Sequence, residues 1–285
     1  MAIFIKKFEL LDFMDSILAK KHSELKKIIS KLYSAVIAFS GGVDSALVLK
    51  AAYDALGNKA IAVTADSPSV PRNEIKEAKK IAEGIGARHI VISTKETKNE
   101  NYIKNPANRC YYCKSELYSK LKIAADKHNI KNILNGTNFD DIQDYRPGMA
   151  AAEEYGIISP LKNAKFTKNE VRMLARQLGL EIWDKPASPC LASRVPYGME
   201  VTLRKLSMIE KAESFLKDNF GIRELRVRHL GNKARIEANP ESFKIINHNL
   251  DIINKKFNDI GFSEIELNEF KSGSLNLLLH VQGTN

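Results

Sequence analysis

The sequence predicts an α/β protein: a doubly wound parallel sheet, joined to a smaller C-terminal α+β domain. Three observations predict it. Short apolar, β-branched runs near residues 35–39, 60–65, 88–94 and 130–134 read as strands buried on both faces. The stretches between them carry helical spacing, and that alternation implies right-handed parallel crossovers. Past Pro196 the order becomes helix, strand, strand, helix, strand, which suggests a small, roughly ferredoxin-like sandwich. The expected division is therefore residues 1–195 and 196–285.

Each element has a local reason. Apolar positions at helical spacing from Leu10 to Leu32 predict one or two amphipathic helices. Ala35-Val-Ile-Ala-Phe39 follows as a strand, breaks at Ser40-Gly41-Gly42, and gives way to a helix that Gly57 suits as a C-cap. Ala60 to Asp66 is the second strand, and Asp66 stands at the C-terminal edge where open parallel sheets bind ligands. Pro71 suits the first turn of a helix running to about Gly86, and Arg88 to Thr94 is the third strand. A polar segment from Lys95 ends at Arg109-Cys110-Tyr111-Tyr112-Cys113-Lys114, and a helix is expected from about Ser115 to His128. Ile130 to Leu134 is the fourth strand, ending in Gly136-Thr137-Asn138-Phe139-Asp140-Asp141.

Arg146-Pro147-Gly148 marks a loop and Ile157 to Leu161 a short strand. Thr167 to Glu170 fits a capping box for a helix ending near Gly179. Ile182 to Arg194 is a loop carrying Cys190. Leu203 to Phe220 then reads as a helix, Arg223 to His229 and Lys233 to Ala238 as strands about a Gly231-Asn232 turn. Pro240 opens a helix to about Ile260, and Phe262 to Phe270 is the last strand.

The totals bound the function. A chain of 285 residues, 44% hydrophobic and 27% charged, has the material for a packed core. Its apolar runs are too short to span a bilayer, and its start turns charged too early for a secretory signal, so a cytoplasmic protein is expected. The net charge of +10 invites a nucleic-acid partner, but the lysines are scattered and no run of five basic residues occurs, which argues against one. Three cysteines, Cys110, Cys113 and Cys190, do not make a disulfide framework; metal binding or thiol chemistry is the sharper reading, beside ordinary buried thiols.

The strand–turn–helix at Ser40-Gly41-Gly42-Val43-Asp44-Ser45 is built for phosphate. The glycines admit close backbone approach, the helix N-terminus favours an anion, and Ser40 and Ser45 add hydroxyls. Asp44 would meet phosphate through Mg²⁺. There is no lysine in the turn, so it is not a Walker A loop. It matches S-G-G-x-D-S, the PP-loop of enzymes that cleave ATP between the α and β phosphates. Farther on, Arg226 and Arg228 lie two apart on a strand and share a face suited to a phosphate or carboxylate; a solvated face is the alternative.

Together, Ser40-Gly-Gly-Val-Asp-Ser45, Arg109-Cys-Tyr-Tyr-Cys-Lys114, Gly136-Thr-Asn-Phe-Asp-Asp141, Pro189-Cys-Leu-Ala-Ser-Arg194 and Arg226-Val-Arg228 resemble the LarE family. The PP-loop alone would equally fit GMP synthetase, NAD synthetase, argininosuccinate synthetase or a tRNA thiolase; the thiolase would account for the positive charge. The LarE resemblance implies an ATP-dependent sulfur transferase of nickel-pincer nucleotide biosynthesis. It would adenylate the carboxylates of pyridinium-3,5-biscarboxylic acid mononucleotide and convert them to thiocarboxylates. It implies ATP at Ser40, Gly41, Gly42, Asp44, Ser45, Asp66 and Gly136, with Mg²⁺ at Asp44 and Asp141. It places the mononucleotide at Ser193, Arg194, Arg226 and Arg228, and catalysis at Cys190, Asp44 and Lys114. Cys110, Cys113 and Cys190 would hold a [4Fe-4S] cluster that carries the sulfur; alternatively Cys190 gives up its own. Homo-oligomers are implied, and the sequence names no sulfide donor.

Overall fold

The computed structural model describes residues 2–143 and 147–270, with side chains from residue 15 onward except at 143. Arg146 of the expected loop, and the apolar side chains expected at Leu10, Phe13 and Met14, lie outside the described residues. Helix α1 spans Ala2–Ser30, strand β1 Ala35–Ala38, α2 Val43–Leu56, β2 Ala60–Asp66, α3 Arg72–Ile85 and β3 Arg88–Ser93. Then come α4 Glu100–Ile103, α5 Arg109–Lys127, β4 Ile133–Leu134, α6 Gly148–Glu154, α7 Pro160–Asn163 and α8 Lys168–Gln177. The chain continues with α9 Leu203–Phe220, β5 Leu225–Leu230, β6 Lys233–Ala238, α10 Pro240–His248, α11 Leu250–Ile260 and β7 Glu264–Glu269.

Four strands pair in the order β3-β2-β1-β4, all parallel. The apolar runs of β1 and β2 place them at the centre, where helices cover both faces. β3 lies at the edge and exposes Arg88, Val91 and Ser93. Leu25, Ile29, Leu47, Phe166, Val171 and Leu174 are among the side chains of one core, each burial worth roughly 1.5–3 kcal/mol. The expected strand at 157–161 shrinks to one bridge, Leu134 to Ile158, because Pro160 has no N–H and starts α7. β4 is shorter than expected: Ile130 is still hydrogen-bonded back to Ala125 O, with Asn129 in a left-handed turn between.

The second core lies under a three-stranded sheet of order β5-β6-β7. β5 and β6 form the expected antiparallel hairpin, but β7 runs parallel to β6. This mixed sheet corrects the ferredoxin-like expectation, whose sheet is antiparallel throughout; here the helical crossover returns the chain beside β6 in the same sense. The expected helix at 240–260 is two, α10 and α11, divided at Asn249, whose side chain turns back to Ile245 O at 2.8 Å. Ala212, Leu216, Val227, Ile236, Phe257 and Phe262 fill this core. Alternation puts Arg226 and Arg228 on the sheet's other face, in register with Glu237 and Arg235.

Where the sequence reading puts one boundary near residue 195, the compact units are discontinuous. One comprises the chain to Asp66 with Arg72–Thr94 and Cys113–Ala187; the other comprises Ser67–Pro71, Lys95–Tyr112 and the chain from Ser188 onward. Within the second unit, fully buried Asn105 ties the distant segments together. Its Nδ2 donates to Pro196 O at 2.7 Å and Met199 O at 2.9 Å, and its own carbonyl accepts from Gly198 N at 3.0 Å. Its φ of +53° suits asparagine better than most residues. Asn105→Ala strands these carbonyls and strains the backbone. The expected loss is about 3 kcal/mol, read as a lower urea midpoint; an unchanged midpoint would remove Asn105 as the tie.

Candidate active site

The loop between β1 and α2 is shaped by backbone proximity. Gly41 adopts φ +74°, and a Cβ there would stand 3.0 Å from Ala78 Cβ on α3. Gly42 is the N-cap of α2 with ordinary φ and no side chain to take the first-turn N–H groups, which therefore point toward an incoming anion. The serine hydroxyls brace the loop from inside. Ser45 Oγ donates to Gly42 O at 3.0 Å and lies 3.2 Å from Ser40 Oγ. Upstream, Thr64 Oγ1 donates to Phe39 O at 2.7 Å and so must accept from His89 Nε2 at 2.8 Å. Burial, ahead of the neighbouring Lys79, keeps the His89 pKa below its ordinary value.

The far side of the loop is closed by the segment after β4. Gly136 passes so near α2 that a Cβ would lie 2.8 Å from Ser45 N and 3.1 Å from Asp44 C. Asn138 folds an Asx turn: its Oδ1 accepts from Asp140 N at 3.0 Å, while Asp141 Oδ2 accepts from Asn138 N at 3.0 Å. Asn138 Nδ2 then donates to Asp44 Oδ1 at 3.0 Å, and Lys168 Nζ pairs with Asp44 Oδ2. Asp141 is thus buried as a brace of the loop. Asp66, at the tip of β2 as expected, pairs with Arg72 at the start of α3.

The cysteines sit differently from the expectation. Helix α5 begins at Arg109, so Cys110, Cys113 and Lys114 occupy its first turns and share a helix face. The polar segment before it disguised the start; no Gly or Pro interrupts residues 109–115, and Arg109 N already bonds Pro106 O at 2.9 Å. Cys110 and Lys114 are exposed, while Cys113 and Cys190 are half-buried; no cysteine is in a disulfide. Cys190 is the N-cap of a 3-10 turn at Leu191–Arg194. Buried Arg109 donates to Ala192 O at 3.0 Å and to Asn105 Oδ1. Burial opposes the Arg109 charge, yet the nearby Cys190 and Cys110, with Tyr102 and Tyr197, raise its pKa above the ordinary value.

Two expected substrate arginines hold protein groups. Arg194 forms a bidentate pair with Glu213 at 2.8 and 3.1 Å, both side chains about 4% exposed. Its Nη1 also donates to Pro189 O at 2.7 Å and Ser193 Oγ at 3.0 Å, which clamps the Cys190 turn against α9. Arg228 donates to Ser193 O at 2.6 Å and to Glu237 Oε2 at 2.8 Å. Arg226 differs. It is half-buried, lies 4.6 Å from the Phe270 ring centroid, and makes no ion pair with a carboxylate among the described residues. Burial and then the charges of Arg194 and Arg228 lower its pKa. An added anion would stabilise it.

The sequence reading gave no role to Lys168, Glu213 or Glu237, and it named Arg109 and Asn138 only within their motifs. Lys168 was legible only as part of a capping box. Glu213 had a signal: it falls on the apolar stripe of α9 between Ile209 and Leu216.

A parallel sheet with a lysine-free glycine turn feeding a helix defines a nucleotide-binding HUP domain of the PP-loop class. Residues 34–181 match the family described as the Arginosuccinate synthase N-terminal HUP domain. The chain is 44% identical to an uncharacterized protein of Synechocystis sp. over 92% of its own length and 99% of that protein. It is 37% identical to the pyridinium-3,5-bisthiocarboxylic acid mononucleotide synthase of Lactiplantibacillus plantarum, over 91% of this chain and 95% of that one. A glutamine-hydrolyzing GMP synthase chain of Archaeoglobus fulgidus is 28% identical over 65% of this chain and 64% of its own. The chain belongs to the LarE family and is an ATP-dependent enzyme of sulfur transfer.

Gly136→Ala tests the close approach. The added methyl should push the first turn of α2 aside and lower ATP-dependent pyrophosphate release about tenfold or more. Far-UV circular dichroism should be unchanged. Parent-like release would show that the loop has slack.

Proposed function

We propose that this chain activates the carboxylates of pyridinium-3,5-biscarboxylic acid mononucleotide with ATP and replaces oxygen with sulfur. The supporting observation is the PP-loop, with Asp44 at the head of α2, in a chain 37% identical along most of its length to a synthase of that thiocarboxylate. A carboxylate is a poor electrophile; joined to AMP it acquires a good leaving group. The first-turn N–H groups of α2 take the departing pyrophosphate, and their orientation is set before it arrives.

Magnesium fits this site. It needs only one or two carboxylates besides phosphate oxygens, and Asp44 is an acid held at the helix head by Asn138. Asp66 and Gly136 complete the nucleotide edge. On the substrate side, Arg226 receives the phosphate, with Ser193, Arg194 and Arg228 shaping the pocket around it. Lys114 steadies a carboxylate.

For sulfur, three thiols in the reduced state suit an iron–sulfur cluster in donor type. Among the described residues no group of three or more His, Cys, Asp or Glu is already assembled around a metal position. Cys110, Cys113 and Cys190 would hold a [4Fe-4S] cluster, which when bound supplies sulfide at an iron that lacks a cysteine. Arg109 donates to Ala192 O and so holds the Cys190 turn in place. The half-buried Cys190, on a turn that Arg194 holds through Pro189 O, also suits a second reading, in which it donates its own sulfur.

Two measurements test this. With the mononucleotide, MgATP and sulfide, the parent should form thiocarboxylate and one pyrophosphate per carboxylate, and Asp44→Ala should form neither while keeping its fold. Turnover in that variant would sink the PP-loop assignment. After anaerobic purification, about four irons and four acid-labile sulfides per chain are expected. No iron even after reconstitution, together with loss of one H₂S from Cys190 by mass spectrometry, would establish the sacrificial route instead.

A further inference from the structure

Two short pieces of chain, Ser67–Pro71 and Lys95–Tyr112, belong to the compact unit that carries Cys190, although each is flanked in sequence by residues of the other unit. The Cys190 turn gives one reason. Its carbonyls at Pro189, Ala192 and Ser193 are taken by arginines. Its first amide is not. Cys190 is an N-cap without a side-chain hydrogen bond, so the N–H of Leu191 needs a partner from elsewhere. Leu191 N donates to Ser69 O at 2.8 Å.

That bond acts directly on the thiol. The amide of Leu191 belongs to the planar peptide that leaves Cys190 Cα. Holding that peptide restrains ψ of Cys190, here 153°, and with it the direction of the Cys190 side chain. Ser69 is itself held at two points. Its N donates to Ser67 Oγ at 2.9 Å, and its Oγ is hydrogen-bonded to Tyr102 OH. Ser67 Oγ, having accepted from Ser69, donates to Glu96 Oε1. Val70 N closes the turn on Ser67 O at 3.0 Å. Ser67, Ser69, Glu96 and Tyr102 are each no more than 4% exposed. Burying a carboxylate and three hydroxyls returns little stability, because desolvation offsets their bonds. Such a network does restrict the backbone to one geometry.

We propose that Ser69 and Tyr102 are positioning residues for the sulfur step. Their hydroxyl pair holds the Ser69 carbonyl, the carbonyl holds the amide after Cys190, and the Cys190 sulfur thereby keeps one direction. Ser67 and Glu96 support the same serine through its amide. The sulfur step is demanding in this respect. A carboxylate activated with AMP is also open to attack by water, so a misdirected sulfur loses it to hydrolysis. Misplacement therefore shows as wasted ATP rather than as slow ATP cleavage. The inference rests on the function proposed above and adds the residues that orient its thiol. It holds whether Cys190 is a cluster ligand or the source of the sulfur.

Tyr102→Phe and Ser69→Ala remove the hydroxyl pair from one side at a time, and the double variant removes both. With mononucleotide, MgATP and sulfide, pyrophosphate release should stay within about twofold of the parent, while thiocarboxylate formed per pyrophosphate should fall about tenfold. The double variant should match each single one, because all three lose the same bond. In the full chain purified without iron, Cys190 should be alkylated by iodoacetamide about threefold faster in the variants, by peptide mass spectrometry. Cys110 serves as the unchanged internal reference. A parent-like yield or parent-like alkylation of Cys190 would overturn the proposal. So would an equal loss of pyrophosphate release and thiocarboxylate, which would make the pair a general support of the fold. If the parent itself forms no thiocarboxylate, the function proposed above fails; faster Cys190 alkylation in the variants still supports the brace, and unchanged alkylation removes it.

Discussion

The head of helix α2 is pressed between backbones that tolerate no side chain. On one side Gly41 touches Ala78 of α3, and on the other Gly136 touches the peptide between Asp44 and Ser45. Everything in the nucleotide site follows from this crowding. The turn between β1 and α2 is confined on both sides, which favours one orientation of its amides. Preorganised dipoles of that kind are the ones that stabilise developing charge without reorganising. The internal bonds of Ser40 and Ser45 serve the same end, since they close the turn on itself. The central position of β1 and β2 in a sheet buried on both faces supplies the rigid base beneath.

The second unit solves a comparable problem with charge. Cys190 stands on a short turn, and such turns are mobile unless tied down. Here the ties are buried ions: Arg194 with Glu213, and Arg228 with Glu237 and Ser193 O. Buried pairs contribute little net stability, because desolvation offsets attraction. Their geometric content is greater. Each guanidinium reaches a carboxylate on one element and a carbonyl of the turn, so the position of the turn is set by α9, β5 and β6 together. Glu213 even accepts the Val227 amide at 3.0 Å, so one carboxylate joins the helix, the strand and the turn.

This division of labour changes the reading of the arginine face. The pair at 226 and 228 shares a face, as strand alternation requires, yet the two have different surroundings. Arg228 lies under the turn and is neutralised by Glu237. Arg226 lies two residues away along the strand, against Phe270 and beside two other guanidinium groups, where burial and repulsion already disfavour its charge. Arg226 thus stands apart from Arg194 and Arg228, each of which is paired with a carboxylate. The same contrast holds at the nucleotide loop, where Asp141 accepts from Asn138 N as a brace while Asp44 is held at the head of α2 by Asn138 and Lys168.

By itself the sequence determined what local chemistry can determine. Apolar runs placed the parallel strands, Ser40-Gly41-Gly42 placed the turn, Thr167 and Glu170 the capping box, and the cysteine and arginine motifs pointed to the family. Strand alternation put Arg226 and Arg228 on one face. Only the tertiary structure decided the pairing of charges. Lys168 and Asp44 are 124 residues apart, and Asn138 and Asp44 are 94 apart. No periodicity or spacing encodes which distant cation meets which acid. The same limit explains the parallel direction of β7, set by a crossover, and the early start of α5, where polar composition hid a segment with no helix breaker. Secondary structure and motif depend on neighbours in the chain; ion partners and buried braces depend on neighbours in space.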